Sequence, residues 1–425
     1  MVIIRLTQKN LVLTVKISSR YKEVLSNFLG LSSINMLSLL VTLITMPYLS
    51  RVLGPECYGT YFIYFTASAF AIIVTDYSTN ITGVRDAALT KNNHQLQTIY
   101  SYTQSVRFIF GILSFVIFSS YTLCVTGDRN VLFVLSYYFI SLFGYYLTAP
   151  WFHQGTSNMI FLALSSLIAR IIQIATLFFL VKSPNDLAYA IMSNALVFIV
   201  TGIIIFIYRH TRMGIKEEVR FTNSLDKIKS GFDSFIGDFA PNLYSNIPLL
   251  IIGALTTPAI YASYSIAMRL TGIAGSIQIM LSKAAYPVIV KGNGTLKLLL
   301  LLNIILSLPP IAAIVFFGDF LVNIFLGPGY SDAVLYLIYL SAGILFNGIL
   351  NAFSYGYFLA NGLDRTFRNI SLFVSVFSAL FGYLMIYFFG VVGSLVMLVF
   401  ARFLFVICYF VVYRTTQKRV DSRSS

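Results

Sequence analysis

The sequence predicts an all-α polytopic membrane protein of about twelve transmembrane helices, arranged as two six-helix lobes around a central cavity. Three observations predict it. Of 425 residues, 58% are hydrophobic and only 10% charged, with a mean hydropathy of +0.82, an apolar excess that water does not tolerate in a chain of this length. Uncharged runs such as Ile34 to Ser50 and Val391 to Ala401 recur along the chain at the ~20-residue length that crosses a ~30 Å hydrocarbon core. These runs are continuously apolar rather than alternating, which excludes barrel strands and requires helices, whose backbone groups are satisfied internally.

The first segment, 1–28, carries Arg5, Lys9, Lys16, Arg20 and Lys22 and lacks the apolar core and cleavage site of a signal peptide, so it reads as a cytoplasmic or interfacial lead-in. Six spans follow at about 29–50, 59–84, 105–125, 131–149, 159–181 and 187–208, together an N-lobe over 29–208. The longest internal hydrophilic stretch, 209–231, is expected as a cytoplasmic loop between the lobes. Six more spans at about 232–255, 264–290, 296–317, 333–359, 370–389 and 391–413 form a C-lobe over 232–413, and a basic tail occupies 414–425. Tyr58-Gly-Thr-Tyr61 after the first span and Tyr261-Ala-Ser-Tyr264 after the seventh are a faint internal echo, as expected when two related lobes flank a midplane site.

Basic residues test this map, because cytoplasmic loops hold the excess of Lys and Arg. Of the 29 Lys and Arg, 23 fall at the termini and in even-numbered loops, including Arg107 and Arg209. Only Arg51, Arg129 and Lys182 fall on the other side, and Arg170, Arg269 and Arg402 lie within spans. Both termini are therefore expected in the cytoplasm. The net charge of +14 then reports orientation, and nucleic acid is not an expected partner.

Catalytic signatures are missing from the sequence. There is no Walker loop, HExxH or GxSxG, and His94, His153 and His210 lie far apart. Neither an enzyme nor a metal or cofactor site is expected. Cys57, Cys124 and Cys408 form no CxxC pair, and Cys57 and Cys124 share one membrane face, where they are either small buried residues or a disulfide.

Polarity inside the spans carries the functional signal. Asn35, Ser38, Thr42 and Thr45 form one stripe on the first span, and Ser234, Asp238, Asn242 and Asn246 form another on the seventh, beside Pro241. Asn347, Asn351 and Ser354 form a third on the tenth. Such residues either bond neighbouring helices or line a wet cavity. Arg170 sits near the middle of the fifth span with Gln173 on its face, and a mid-bilayer arginine costs ~2.5–3.5 kcal/mol on insertion scales, so it requires protein or water around it. Arg269 and Arg402, nearer span ends, either snorkel or contact ligand. Asp76 and Asp238 are the deeper carboxylates, able to pair with an arginine or to carry a coupling ion. The excess of buried arginine over acid makes the cavity attractive to anions.

Several segments carry a family resemblance. Thr45-Met-Pro-Tyr-Leu-Ser-Arg51-Val-Leu-Gly-Pro55-Glu-Cys-Tyr-Gly59 resembles the start of Wzx-type O-antigen flippases, with their Pro-Tyr-Leu-x-Arg-Val-Leu-Gly-Pro stretch. Asp76-Tyr77 before Arg85, Pro150-Trp151-Phe152-His153-Gln154-Gly155, Tyr264-Ser265-Ile266-Ala267-Met268-Arg269 and Tyr286-Pro287 are similar to further family elements, in order. Ser78, Gly83-Val84 and Asp86 depart from the family pattern. The resemblance implies a two-lobe exporter of the multidrug/oligosaccharidyl-lipid/polysaccharide superfamily in the bacterial inner membrane. It implies as cargo an undecaprenyl-diphosphate-linked oligosaccharide, moved from the cytoplasmic to the periplasmic leaflet, with membrane lipid, an O-antigen polymerase and a chain-length regulator as partners. On that reading Arg170 and Arg269 neutralise the diphosphate or an acidic sugar, and Asn35, Ser38, Gln173, Asn242 and Asn246 line the cavity. Asp76 or Asp238 couples an ion gradient. A cation or drug antiporter would instead need a cavity dominated by acid, and an O-antigen polymerase a long periplasmic loop.

Overall fold

The computed structural model describes residues 19–90, 92–216, 218, 224–290 and 295–424. Every regular element among them is helical. The first, α1 (Ser19–Asp76), bends at Gly54, whose φ of 70° and ψ of 171° interrupt the helix. Glycine adopts that backbone without a Cβ clash, and Pro55 restarts the helix where no N–H is needed. Two arms result, 19–53 and 55–76. Then come α2 (Thr79–Leu89), α3 (Asn93–Thr126), α4 (Val131–Thr148), α5 (Pro150–Gly155), α6 (Met159–Leu180) and α7 (Leu187–Arg212).

The second lobe opens with a broken path of three short helices, α8 (Ser224–Phe239), α9 (Asn242–Ser245) and α10 (Ile247–Leu255). Pro241 and Pro248 supply no N–H to the ladder, which accounts for both interruptions. After them run α11 (Pro258–Val290), α12 (Leu296–Leu326), α13 (Asp332–Phe353) with a π-turn at Ser354–Phe358, and α14 (Asp364–Ser424). Gly390, at φ 54°, divides α14 into a second pair of arms. Counting both arms of α1 and of α14, and the α8–α10 path once, the described chain makes twelve passes.

Helices α1 to α7 pack among themselves, as do α9 to α14, and the lobes meet chiefly where α1 lies against α11. Large apolar side chains cover the outside, with Phe179, Phe316 and Tyr387 about four-fifths exposed at 78%, 77% and 83%, the inversion expected of a surface that faces lipid. Among the described residues, eight helices, bent α1 and α14 among them, are long and apolar enough to cross a membrane, and neither α11 nor the α8–α10 path is one of the eight. Those two passes carry Asp233, Asp238, Asn242, Asn246, Arg269, Gln278 and Lys283.

Several boundaries differ from the sequence expectation. The 209–231 stretch is partly helical, since α7 continues through Arg212 and α8 starts at Ser224. Helix α3 begins at Asn93, not near Ser105, with the Asn92 side chain capping it. Arg107 therefore lies well inside a helix, and both Arg107 and Arg209, expected in solvated loops, are buried at 0% and 1% exposure. The basic asymmetry survives without them. Cys57 and Cys124 are both free thiols.

Candidate inter-lobe site

At the end of the bundle opposite most of the Lys and Arg, the lobes close on each other through backbone. Gly59 leaves no room for a side chain, because a Cβ there would lie 1.7 Å from the Pro258 carbonyl oxygen. Tyr330, in the turn between α12 and α13, donates its hydroxyl to the Ser50 carbonyl at 2.9 Å and meets Tyr58 edge-on. Burial raises the Tyr330 phenol above its usual range, with a smaller push from Cys57, so it stays protonated as that donor. Arg51 donates to the Ile324 carbonyl across the same seam, and Tyr121 donates to the Leu250 carbonyl at 2.5 Å.

Beneath this seam the second arm of α1 presents Tyr58, Tyr61, Phe62 and Phe65 on one helical face. Two arginines reach that face from opposite lobes. The half-buried Arg269 guanidinium, from α11, stands over the Phe65 and Phe62 rings at 4.0 and 4.5 Å, within the range of cation–π attraction. It is held by aromatic rings rather than snorkelling. Among the described residues no carboxylate pairs with it. Arg170, from α6, donates to the Gln173 side-chain oxygen at 3.1 Å, and Gln173 donates to Asn194 at 3.1 Å. The Tyr61 hydroxyl reaches the same Asn194 oxygen at 3.4 Å, and the Tyr61 and Phe65 rings stack at 6.4 Å. One aromatic face thus links both cations.

Below Arg269, α11 turns Gly272 and Lys283 outward with Ser276 half-buried between them, and a Cβ at Gly272 would meet nothing within 4 Å. Ala69, two turns below Tyr61 on α1, is exposed as well. These faces border open space rather than a packed interface.

The remaining expected residues divide into two groups. Asn242 is buried and Asn246 half-buried, and they bond to each other at 2.6 Å across the break in the α8–α10 path. The side chains of Asn35 and Ser38 lie outside the described residues. In the third stripe, Asn347 donates to Gln278 of α11 at 2.8 Å, and Gln278 donates to Ser307 at 2.9 Å, tying α11, α12 and α13 together inside the second lobe.

Toward the basic end, Asp76 accepts from the Tyr145 hydroxyl at 2.6 Å and from Asn80, and pairs with Arg107 at 3.4 Å. Arg107 is further held by Gln104 at 3.0 Å and by the Tyr145 carbonyl at 3.3 Å. Reading Arg107 as a loop charge hid this pair, although Gln104 and Arg107 at i and i+3 already mark one polar face of an apolar helix. Asp238 is exposed on α8, close enough for its charge to act on Asp76. Asp238, expected as a deeper carboxylate, thus lies at an exposed position, whereas Asp76 is buried. Beside them Lys227 of α8 pairs with Asp86 of α2. Among the described residues no three His, Cys, Asp or Glu side chains converge as metal ligands would.

Known proteins share this architecture. A family model described as polysaccharide biosynthesis protein matches residues 24–293. A proposed O-antigen transporter of Shigella dysenteriae is 23% identical over 390 residues, covering 90% of this chain and 98% of that protein. Another, of Escherichia coli strain K12, is 24% identical over 80% of this chain and 85% of its own length. Among solved structures, the lipid II flippase MurJ in an inward closed conformation superposes with a TM-score of 0.68 at 14% identity, covering 92% of this chain and 87% of its own. An inward-facing MATE-family multidrug transporter of the MOP superfamily gives 0.65 at 16% identity, covering 94% of this chain and 100% of that one. These structural likenesses establish the two-lobe fold.

Proposed function

The chain belongs to the polysaccharide biosynthesis protein family, and we propose that it is a flippase carrying an undecaprenyl-diphosphate-linked oligosaccharide from the cytoplasmic to the periplasmic leaflet of a bacterial inner membrane. The observation that carries this reading is the convergence of Arg170 and Arg269, one from each lobe, on a single aromatic face of α1 beneath a closed seam. Each intramembrane arginine costs ~2.5–3.5 kcal/mol to insert, and an anionic cargo offsets that cost when it binds. A cationic drug would be repelled by the same pair. The two relatives, proposed O-antigen transporters, supply the saccharide class.

In this reading the basic end faces the cytoplasm, with both termini on that side. The Gly59–Pro258 and Tyr330–Ser50 contacts then close the periplasmic end, and cargo enters from the cytoplasmic leaflet beside Gly272 and Lys283. Arg170 and Arg269 draw the diphosphate or an acidic sugar to the midplane, where it bridges the lobes. Asn242 and Asn246 offer amides to sugar hydroxyls once the α8–α10 path flexes at Pro241. Opening toward the periplasm requires the lobes to part at the seam. An ion gradient drives the cycle through Asp238, because Asp76 is already engaged by Arg107 and repels a second unneutralised carboxylate nearby. The delivered cargo passes to a polymerase and chain-length regulator.

The test is surface O-antigen in a deletion strain carrying Arg170→Ala or Arg269→Ala. The reading expects loss, with partial recovery by Arg170→Lys. Wild-type O-antigen in both alanine strains overturns it.

A further inference from the structure

The second lobe holds a cavity of its own, apart from the inter-lobe site. It has a volume of about 190 Å³ and lies among the α8–α10 path, α13 and both arms of α14. Phe367 and Ser371, near the start of α14, place it toward the basic end. Two of the helices around it are irregular there. Pro241, which interrupts the α8–α10 path, lines one side, and Ser354, the first residue of the π-turn, lines another. Short π segments inside α-helices are frequent at functional sites, and irregular backbone at membrane depth is tolerated where it borders a cavity.

Five aromatic side chains wall the cavity, Tyr244, Tyr355, Phe367, Phe405 and Tyr409. Several brace one another: the Phe405 ring lies 6.0 Å from Tyr244 and 5.7 Å from Tyr409, and Tyr409 stacks on Phe367 at 6.2 Å. Between the rings stand polar groups that the protein leaves unengaged. Asn351, at 5% exposure, donates to the Asn347 carbonyl at 2.8 Å, and its side-chain oxygen remains. Among the described residues, no hydrogen bond engages that oxygen or the hydroxyls of Tyr244, Tyr355 and Ser371. Polar groups removed from water cost stability until a partner bonds to them, so the cavity calls for a guest with hydroxyls. No lining residue is charged, which disfavours an ion of either sign. The aromatic wall in turn disfavours a guest that is polar all round. A neutral pyranose satisfies both conditions, because it carries an apolar C–H face for the rings and hydroxyls at its edge for the amide and phenols. The volume suits a single sugar ring.

We propose that this cavity is a subsite for one neutral aldohexopyranose residue, with its C–H face on the aromatic wall and its hydroxyls on Asn351, Tyr355 and Ser371. The subsite rests on the saccharide-flippase reading for the source of its ligand. It adds an uncharged site inside the second lobe to the charged one between the lobes, at the end where that reading loads cargo.

The test is saturation-transfer NMR on the purified full chain, in a detergent without a sugar head group. The probes are the methyl glycosides of D-glucose, D-galactose and D-mannose, with glycerol as the control polyol. At least one glycoside is expected to receive saturation from aromatic protons, concentrated on the hydrogens of one ring face, and glycerol none. Tyr355→Phe, which removes a hydroxyl and keeps the ring, is expected to weaken that binding about three- to tenfold. Ser371→Trp, which fills the cavity, is expected to abolish it. Absence of saturation in every glycoside with wild type overturns the subsite, as does equal saturation with wild type and Ser371→Trp. Glycerol saturated alongside the glycosides also overturns it, because the contact is then non-specific. Should Ser371→Trp fail to fold, Tyr355→Phe decides, and wild-type affinity in that variant overturns the subsite. Loss of O-antigen on deletion of the gene, together with a wild-type chain that binds no glycoside, overturns the subsite and leaves the flippase reading standing. Glycoside binding by a chain whose deletion leaves O-antigen intact supports the subsite and overturns that reading.

Discussion

Gly59 and Pro258 meet backbone to backbone, with room for a Cβ on Gly59 only 1.7 Å from the Pro258 carbonyl oxygen. The contact lies within the first of the two segments that echo each other in sequence, Tyr58-Gly-Thr-Tyr61, and three residues before the second, Tyr261-Ala-Ser-Tyr264, and their four tyrosines are all buried. Because the opposing atom is backbone, it cannot rotate away from an added methyl. Gly59→Ala is therefore expected to part the lobes at this end. In a Cys124→Ser background, labelling of half-buried Cys57 by an impermeant maleimide should rise severalfold, and O-antigen export should fall. Unchanged labelling would show that the seam tolerates the methyl and is not the closing contact.

The Asp76–Arg107 pair makes a prediction about stability. Both side chains are buried, at 8% and 0% exposure, and removing one member of a buried pair leaves a charge with no partner, typically costing about 3–5 kcal/mol. Arg107→Met is expected to lower the unfolding temperature in detergent clearly. The double variant Asp76→Asn, Arg107→Met should recover much of the loss, because it buries no unpaired charge. A double variant as unstable as the single would mean that Arg107 acts through packing on Tyr145 and Gln104 rather than through charge.

The bends and the burial of charge were unequally legible in the sequence. Gly54-Pro55 and Gly390 mark the sharp reversals because glycine alone adopts their backbone cheaply and proline restarts a helix, both local properties. Arg107 was opaque because a charge near a span edge reads as a loop, whereas its partner, Asp76, lies on another helix. The i and i+3 spacing of Arg170 and Gln173 was visible, but their link to Tyr61 through Asn194 depends on how α1, α6 and α7 pack. The same holds for Phe405, whose spacing along α14 shows the face it shares with Tyr409 and says nothing of Tyr244 opposite.

Arg269 separates charge from shape. Its guanidinium stands over Phe65 and Phe62, at 4.0 and 4.5 Å, close enough to be attracted by both rings, and a lysine ammonium offers the charge without the planar fork. Arg269→Lys is expected to retain intermediate O-antigen export, Arg269→Met almost none. Full export by Arg269→Met would remove this residue from the cargo path.

At the basic end, Tyr77 is the principal contact between lobes. Its φ of 42° lies in the left-handed region that side chains seldom adopt, which aims the ring between Phe110 of α3 and Phe235 of α8, at 4.1 and 4.7 Å. Its hydroxyl donates to the Ile228 carbonyl at 3.0 Å, and the Lys227–Asp86 pair lies on the same joint. Aromatic pairs contribute about 0.5–1.5 kcal/mol each beyond their buried area, whereas a partly exposed ion pair contributes about 0–1 kcal/mol, so the rings should dominate the docking of α8. Amide hydrogen exchange across 224–239 is accordingly expected to accelerate strongly in Tyr77→Ala and only slightly in Asp86→Asn, with exchange in α12 unchanged. Tyr77→Phe keeps both stacks and loses the hydroxyl bond, and should fall between wild type and Tyr77→Ala. If Asp86→Asn accelerated exchange as much as Tyr77→Ala, the joint would be electrostatic, and export would then weaken with rising salt.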